Sequence, residues 1–150
     1  MHAISCLGVR VVLDTDTVVA AVRSPTGASR WLLTAALQKR ITILLSVPLM
    51  LEYEAVLTRP EHLAVAGLSE REMNAILDAV SGVGMHVNLS FRWRPLLTDA
   101  NDDMVLETAI NGGARLLVTF NVRDFGDVGE PFGCRAVLPR EAVQFVRTTK

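Results

Sequence analysis

Residues 11–20 read VVLDTDTVVA: an aliphatic, mostly β-branched run that stops at Asp14, with a second acid, Asp16, one residue beyond. Residues 9–13 (VRVVL) are too short and too rich in valine to favour a helix, and they predict a buried strand. Why such a strand should end on two carboxylates is a chemical question. Asp14 can cap the helix that follows, but a carboxylate beside a buried strand is costly to desolvate without a partner. Two sharper readings compete with the cap: a phosphorylated nucleophile with its acid, or a ligand of a metal ion.

Working outward, helical and strand patterns alternate. A helix beginning near Thr17 is interrupted by RSPTG, residues 23–27. Trp31, Leu32, Ala35 and Ala36 recur at helical spacing between Ala28 and Gln38, and ITILL, 41–45, is the next strand. Ser46 is an N-cap with Pro48 in the first turn of a helix through Leu57, which Pro60 is expected to end. SERE, 69–72, is a capping box opening a helix with Met73, Ile76, Leu77 and Val80 on its apolar stripe, ended by SGVG. MHVNL, 85–89, alternates like a strand, and residues 101–111 form a helix closed by Gly112 and Gly113. RLLVTF, 115–120, is a buried strand, and a last strand near 134–138 leads into a helix opened by Pro139. This order predicts an α/β fold, a mostly parallel central sheet of about five strands covered by helices on both faces. In such sheets the functional crevice lies outside the carboxyl ends of the strands.

Composition narrows the classes. The chain has 150 residues, half of them hydrophobic, which suits one domain with a real core. Its 15 basic and 16 acidic residues leave a net charge of −1, so no global positive field announces nucleic acid. The basic residues are 13 Arg and 2 Lys, a bias that suits phosphate binding and also follows from GC-rich coding. Cys6 and Cys134 form no CxxC pair, and no histidine pair has zinc spacing, so a reducing, cytoplasmic setting is expected. The opening MHAISCLGVR lacks the features of a leader, and no apolar run is long enough to span a membrane. A mean hydropathy of +0.33 points to apolar area covered in a homodimer or by a partner.

Four acids deserve to be taken together. Asp14 ends the first strand, Glu52 lies in the helix after the second, Asp102 opens the helix within LTDANDDMVLETA, and Asp124 follows LLVTF. Gathered at one sheet edge they would repel one another unless they shared a hard divalent cation such as Mg²⁺ or Mn²⁺. Individually each has an ordinary explanation. Glu52 shares its helix with Glu54 and could be solvated, while Asp99, Asp102 and Asp103 crowd a helix N-terminus that favours acids anyway. Asp124 could be a turn residue.

VVLDTDTVVAAVRSPTGAS, SVPLMLEYEAVLTRP and DANDDMVLETAINGGARLLVTFNVRDF resemble, in order and spacing, successive blocks of the PIN (PilT N-terminus) domain family, in particular its VapC-type branch of toxins from bacterial toxin–antitoxin systems. The resemblance runs from about Val11 to Phe145 and implies a single PIN-like domain over residues 1–150, with a core at about 9–147 and residues 1–8 as a short extension. It places the family's first acid on Asp14, the second on Glu52 rather than Glu54, and the third on Asp102, with Asp99 as a further acid. Thr119, Asn121 and Asp124 fall in a more variable fourth region, where Asp124 is the favoured outer ligand. The implied activity is that of a Mg²⁺- or Mn²⁺-dependent endoribonuclease that cleaves RNA with a water activated by the cation. Asp14, Glu52, Asp102 and Asp124 would serve the metal, and Thr15, Thr119 or Asn121 would position water or phosphate. A homodimer and a cognate antitoxin are implied as partners. The family usually has a neutral residue where this chain has Asp16.

The opening motif also fits the first motif of haloacid-dehalogenase-type phosphatases, with Asp14 as nucleophile and Asp16 as general acid. That chemistry needs a cation, usually Lys, on the phosphorylated intermediate. Here the lysines are Lys39, ahead of the second strand, and Lys150. A receiver domain meets the same objection, since CRAVLPRE offers no Lys near the last strand. A third alternative is a non-catalytic PIN-like module that binds RNA or protein. Arg23, Arg30, Arg59, Arg92, Arg94 and Arg123 are candidates for an RNA path, and Trp31 reads as core or dimer interface.

Overall fold

The computed structural model describes residues 8–89 and 100–149. Five strands form one sheet in the order β3-β2-β1-β4-β5, and every neighbouring pair is parallel. They are β1 (Arg10–Leu13), β2 (Thr42–Leu45), β3 (Met85–His86), β4 (Leu116–Val118) and β5 (Arg135–Val137). Val11, Val12 and Leu13 have no exposed surface. Since successive strand residues point to opposite faces, burial of all three means that both faces of β1 are covered.

The cover is helical. Among the described residues the helices are α1 (Thr15–Arg23), α2 (Ala28–Leu37), α3 (Val47–Leu57), α4 (Pro60–Ala66), α5 (Glu70–Val83), α6 (Ala100–Gly112), α7 (Val122–Phe125) and α8 (Pro139–Thr148). Helix α6 packs across β1, β2 and β4, whereas α8 packs on β4 and against α2. In α6 the stretch from Asp103 to Ala109 is buried without interruption, as expected of a helix enclosed on all sides. None of the described helices is long and apolar enough to cross a membrane.

The chain winds from β1 through β2 to β3 on one side, then crosses back to place β4 and β5 on the other. The reversal leaves a crevice at the carboxyl ends of β1 and β4, the usual binding place in an open parallel sheet. Asp14 stands at the end of β1 and Thr119 at the end of β4.

Boundaries differ from expectation where capping chemistry was misread. Helix α1 begins at Thr15 because Asp14 is its N-cap, with the Asp14 carbonyl accepting from the amides of Thr17 at 3.0 Å and Val18 at 3.3 Å. Pro60 does not merely stop α3, which ends at Leu57; it opens α4, since the first helical turn has no use for the missing amide hydrogen. Helix α5 runs through Ser81 and Gly82 and stops at Gly84, its buried stripe of Met73, Leu77 and Val80 outweighing one unfavourable glycine. Strand β3 keeps two residues of the expected five, as an edge strand with a single neighbour.

Candidate active site

Asp14 is where the topology and the chemistry meet. Its amide donates to the Val118 carbonyl at 2.8 Å, locking the end of β1 beside β4. One carboxylate oxygen, Oδ1, accepts from the Thr15 amide at 2.8 Å, and the other, Oδ2, accepts from the Thr119 hydroxyl at 2.7 Å. An ordinary N-cap reaches the second or third amide of its helix; this one reaches only the first and turns its other oxygen across the crevice. The residue is 8 % exposed. Burial raises its pKa to about 7, the neighbouring Asp16 charge adds to the rise, and the Asp102 charge contributes further. The Thr119 and Thr15 hydrogen bonds pull in the opposite direction without cancelling it.

Asp16 has a distinct task. Its Oδ2 accepts from the Phe120 amide at 3.2 Å and from Asn121 Nδ2 at 3.0 Å. The Thr17 hydroxyl donates to the Val118 carbonyl at 3.1 Å and lies 3.1 Å from Asp16 Oδ1. The Asn121 amide closes the ring by donating to Thr119 Oγ1 at 2.9 Å. Asp16 thus fastens the first turn of α1 to the segment leaving β4. Its own pKa is also raised, chiefly by burial.

Helix α3 approaches the same strand end through Tyr53. That side chain is fully buried, and its hydroxyl donates to the carbonyl of Leu13, the residue before Asp14. Burial, with the Asp14 charge second, holds the phenol well above its ordinary pKa, so it stays protonated as a donor. Ser46 caps α3 through the Leu49 amide, and its hydroxyl lies 2.7 Å from that of Thr108 on α6. The helices bearing Glu52 and Asp102 are therefore joined to each other and, through Tyr53, to β1.

The expected site residues are distributed as follows. Asp14, Asp16, Thr119 and Asn121 form one hydrogen-bonded group, Thr15 contributes its amide, and Asp102 in the first turn of α6 acts on Asp14 by its charge. Glu52 is half-buried on α3, and Asp124 is exposed on α7; among the described residues neither is hydrogen-bonded to this group. Asp99 lies outside the described residues, as do Arg92 and Arg94. Arg23 sits at the far end of α1 from Asp14, and Arg30 is occupied with the Ala21 and Val22 carbonyls at that same end. Arg123 is exposed on α7.

Tyr53, Thr17 and Phe120 were not anticipated. A signal existed for Tyr53: it falls on the buried stripe of α3 with Leu49, Val56 and Leu57, and a buried tyrosine hydroxyl needs an acceptor. Thr17 and Phe120 carry no local signal, since their partners lie about a hundred residues away in sequence.

The donors at this edge are carboxylate and hydroxyl oxygens with surplus negative charge, the chemistry of a hard divalent cation. The rise of the Asp14 pKa comes first from burial and then from the neighbouring Asp16 charge, so the folded site favours the protonated carboxyl. Among the described residues no three Asp, Glu, His or Cys side chains are grouped closely enough to hold a metal directly.

Comparison with known proteins follows the same lines. The PIN domain family profile matches residues 10–123, most of the chain. No functionally curated protein matches. Among solved structures, VapBC2 from Rickettsia felis, crystallised with a DNA fragment from its promoter, is similar in fold, with a TM-score of 0.59. The alignment has 17 % identity and covers 86 % of this chain and 98 % of that one.

Proposed function

The chain belongs to the PIN domain family, and from that premise we propose that it is a Mg²⁺- or Mn²⁺-dependent endoribonuclease, formed by a single domain and acting as the toxin of a toxin–antitoxin pair. The observation that carries this reading is the buried Asp14 carboxylate at the β1–β4 crevice, held by Thr119 and lying in the field of Asp102. In the proposed site Asp14, Glu52, Asp102 and Asp124 hold the cation, in part through water, with Asp99 as a further acid. When bound, the cation would lower the pKa of a water and neutralise charge on a phosphodiester.

The remaining roles belong to the chain. Thr119 spends its hydroxyl proton on Asp14 and so fixes the rotation of that carboxylate. Tyr53 and the Asp14 amide hold the strand end from two sides. Asn121 binds Asp16 with one amide hydrogen and keeps another for a phosphate oxygen, and Thr15, half-buried at the first turn of α1, borders the same crevice. Phe120 is 49 % exposed beside them and offers its ring for base stacking.

The phosphatase alternative loses support in two ways. Asp16, its general acid, is engaged by the Phe120 amide and Asn121, and Lys39, its candidate cation, precedes β2 at the opposite edge of the sheet. A protein partner is supported by α3, where Val47 is 72 % and Leu51 59 % exposed one turn apart. They line a cleft of about 290 Å³ with Leu77, flanked by Glu54 and Asp78. This apolar, acid-rimmed face suits a basic amphipathic segment of an antitoxin, by analogy with the VapBC2 assembly. A homodimer in the cytoplasm completes the proposal. Titration with Mn²⁺ tests it against an inert binding module: wild type should bind and gain thermal stability, and Asp14→Asn should do neither.

A further inference from the structure

The edge of the sheet opposite the acids is cationic. Arg10 opens β1, Arg135 opens β5, Arg115 immediately precedes β4, and Lys39 and Arg40 stand shortly before β2. All five are exposed. Because these strands are parallel, their beginnings share one edge. The Arg115 amide donates to the Arg10 carbonyl at 2.8 Å and the Arg135 amide to the Arg115 carbonyl at 3.1 Å, so three arginines occupy neighbouring positions. Adjacent strands are ~4.8 Å apart, a charge spacing that a flexible polyanion can follow.

Two of these arginines frame a cavity. Arg115, Arg135, Phe145, Leu116 and Gly133 line a cleft of about 220 Å³. The Arg115 guanidinium lies over the Phe145 ring, 5.1 Å from its centroid. Among the described residues no carboxylate forms an ion pair with Arg115 or Arg135. Two others of the five have side-chain contacts of their own: Arg10 Nη1 donates to the Gly112 carbonyl at the end of α6 at 3.2 Å, and the Arg40 guanidinium lies over the Trp31 ring, 5.1 Å from its centroid. An ordinary solvated surface mixes signs, and a chain with 16 acids against 15 bases has enough acids to do so. At the starts of these strands it places none.

We propose that this edge is a second RNA-binding face, with the Arg115–Arg135–Phe145 cleft receiving a phosphate and an adjoining base. Guanidinium forks bind phosphate oxygens in pairs, and the Arg115 guanidinium over the half-buried Phe145 ring offers a planar face that suits a nucleobase better than an acidic peptide. The choice of RNA among polyanions rests on the nuclease reading. Strand β1 has four residues, about 13 Å at ~3.3 Å per residue, which is the straight-line separation of this edge from Asp14 through the core.

Fluorescence anisotropy with a labelled single-stranded oligoribonucleotide tests the proposal, using the full chain in the Asp14→Asn background with chelator so that neither metal nor cleavage contributes. Arg115→Gln with Arg135→Gln should weaken binding at least tenfold. The log–log salt slope should fall by about 1.4, since each lost single-strand phosphate contact removes ~0.7. Arg115→Lys with Arg135→Lys retains charge and should keep most of the salt slope while losing affinity, which separates recognition from misfolding. Unchanged affinity in the Gln pair would overturn the proposal, as would polyglutamate competing as well as RNA. Metal-dependent cleavage in the wild type is a separate readout: its absence would count against the nuclease reading and leave this binding result standing.

Discussion

Asp14 is the residue on which stability and chemistry pull in opposite directions. Its pKa rises from 3.8 to about 7 on folding, so between those values the native state holds a proton that the unfolded state has released. Stability without metal therefore falls as pH rises through that window, by at most about 4 kcal/mol for a shift of ~3 units. Asp16, also raised, adds in the same direction. In chelator, Asp14→Asn should be more stable than wild type at pH 8 and nearly equal to it at pH 4, as measured by urea denaturation; an equal difference at both values would contradict the burial of this charge. At Phe120, replacement by Ala should raise KM for RNA about tenfold with kcat little changed, in line with ~1–3 kcal/mol for one stacked base, and Trp should restore it. Steady-state kinetics separate the two constants. Asp14 was legible in the sequence because an aliphatic run ending on an acid is anomalous by itself. The role of Asp16, noticed as a second acid, was not, because its partners, Phe120 and Asn121, are reached only after the sheet has formed.

Elements supply the precision that single residues lack. The end of β1 is held by Val118 on β4 and by Tyr53 on α3. Tyr53→Phe leaves the buried Leu13 carbonyl without its donor and should cost about 1–3 kcal/mol of unfolding free energy. It should also slow cleavage by loosening Asp14 while leaving the RNA affinity of the opposite edge intact; an unchanged denaturation midpoint would remove Tyr53 from this role. Helix starts were readable where side chain and backbone cap each other, as at Ser69 and Glu72, whose reciprocal hydrogen bonds measure 3.1 Å and 2.9 Å. They were misread where one residue type has two meanings: Pro60 both follows one helix and starts another. Every strand is shorter than its sequence pattern suggests, most of all β3, because an apolar or alternating run persists beyond the last residue that finds a neighbour to pair with.

At the scale of the molecule, a net charge of −1 conceals a local separation of sign: Asp14 and Asp16 stand just beyond the end of β1, with the Asp102 charge acting on Asp14, and Arg10, Arg115 and Arg135 stand at the beginnings of β1, β4 and β5. Composition could not reveal this, since it emerges only when five short strands align in parallel. The class of fold was readable from the alternation of elements, whereas the strand order that puts Asp14 beside Thr119 was not. A cation at the acidic edge would relieve the repulsion around Asp14. Mn²⁺ at a hundredfold excess over its dissociation constant should stabilise the protein by about 2.7 kcal/mol, read as a rise in melting temperature that Asp14→Asn abolishes. The most direct test of the proposed function is single-turnover cleavage of end-labelled single-stranded RNA by the purified wild type and Asp14→Asn, each with Mn²⁺ and with chelator. Wild type should cleave only with Mn²⁺, and Asp14→Asn, folded by circular dichroism, should be slower by more than about 100-fold. Cleavage by Asp14→Asn at the wild-type rate, or by wild type in chelator, would contradict a metal-dependent nuclease built on Asp14.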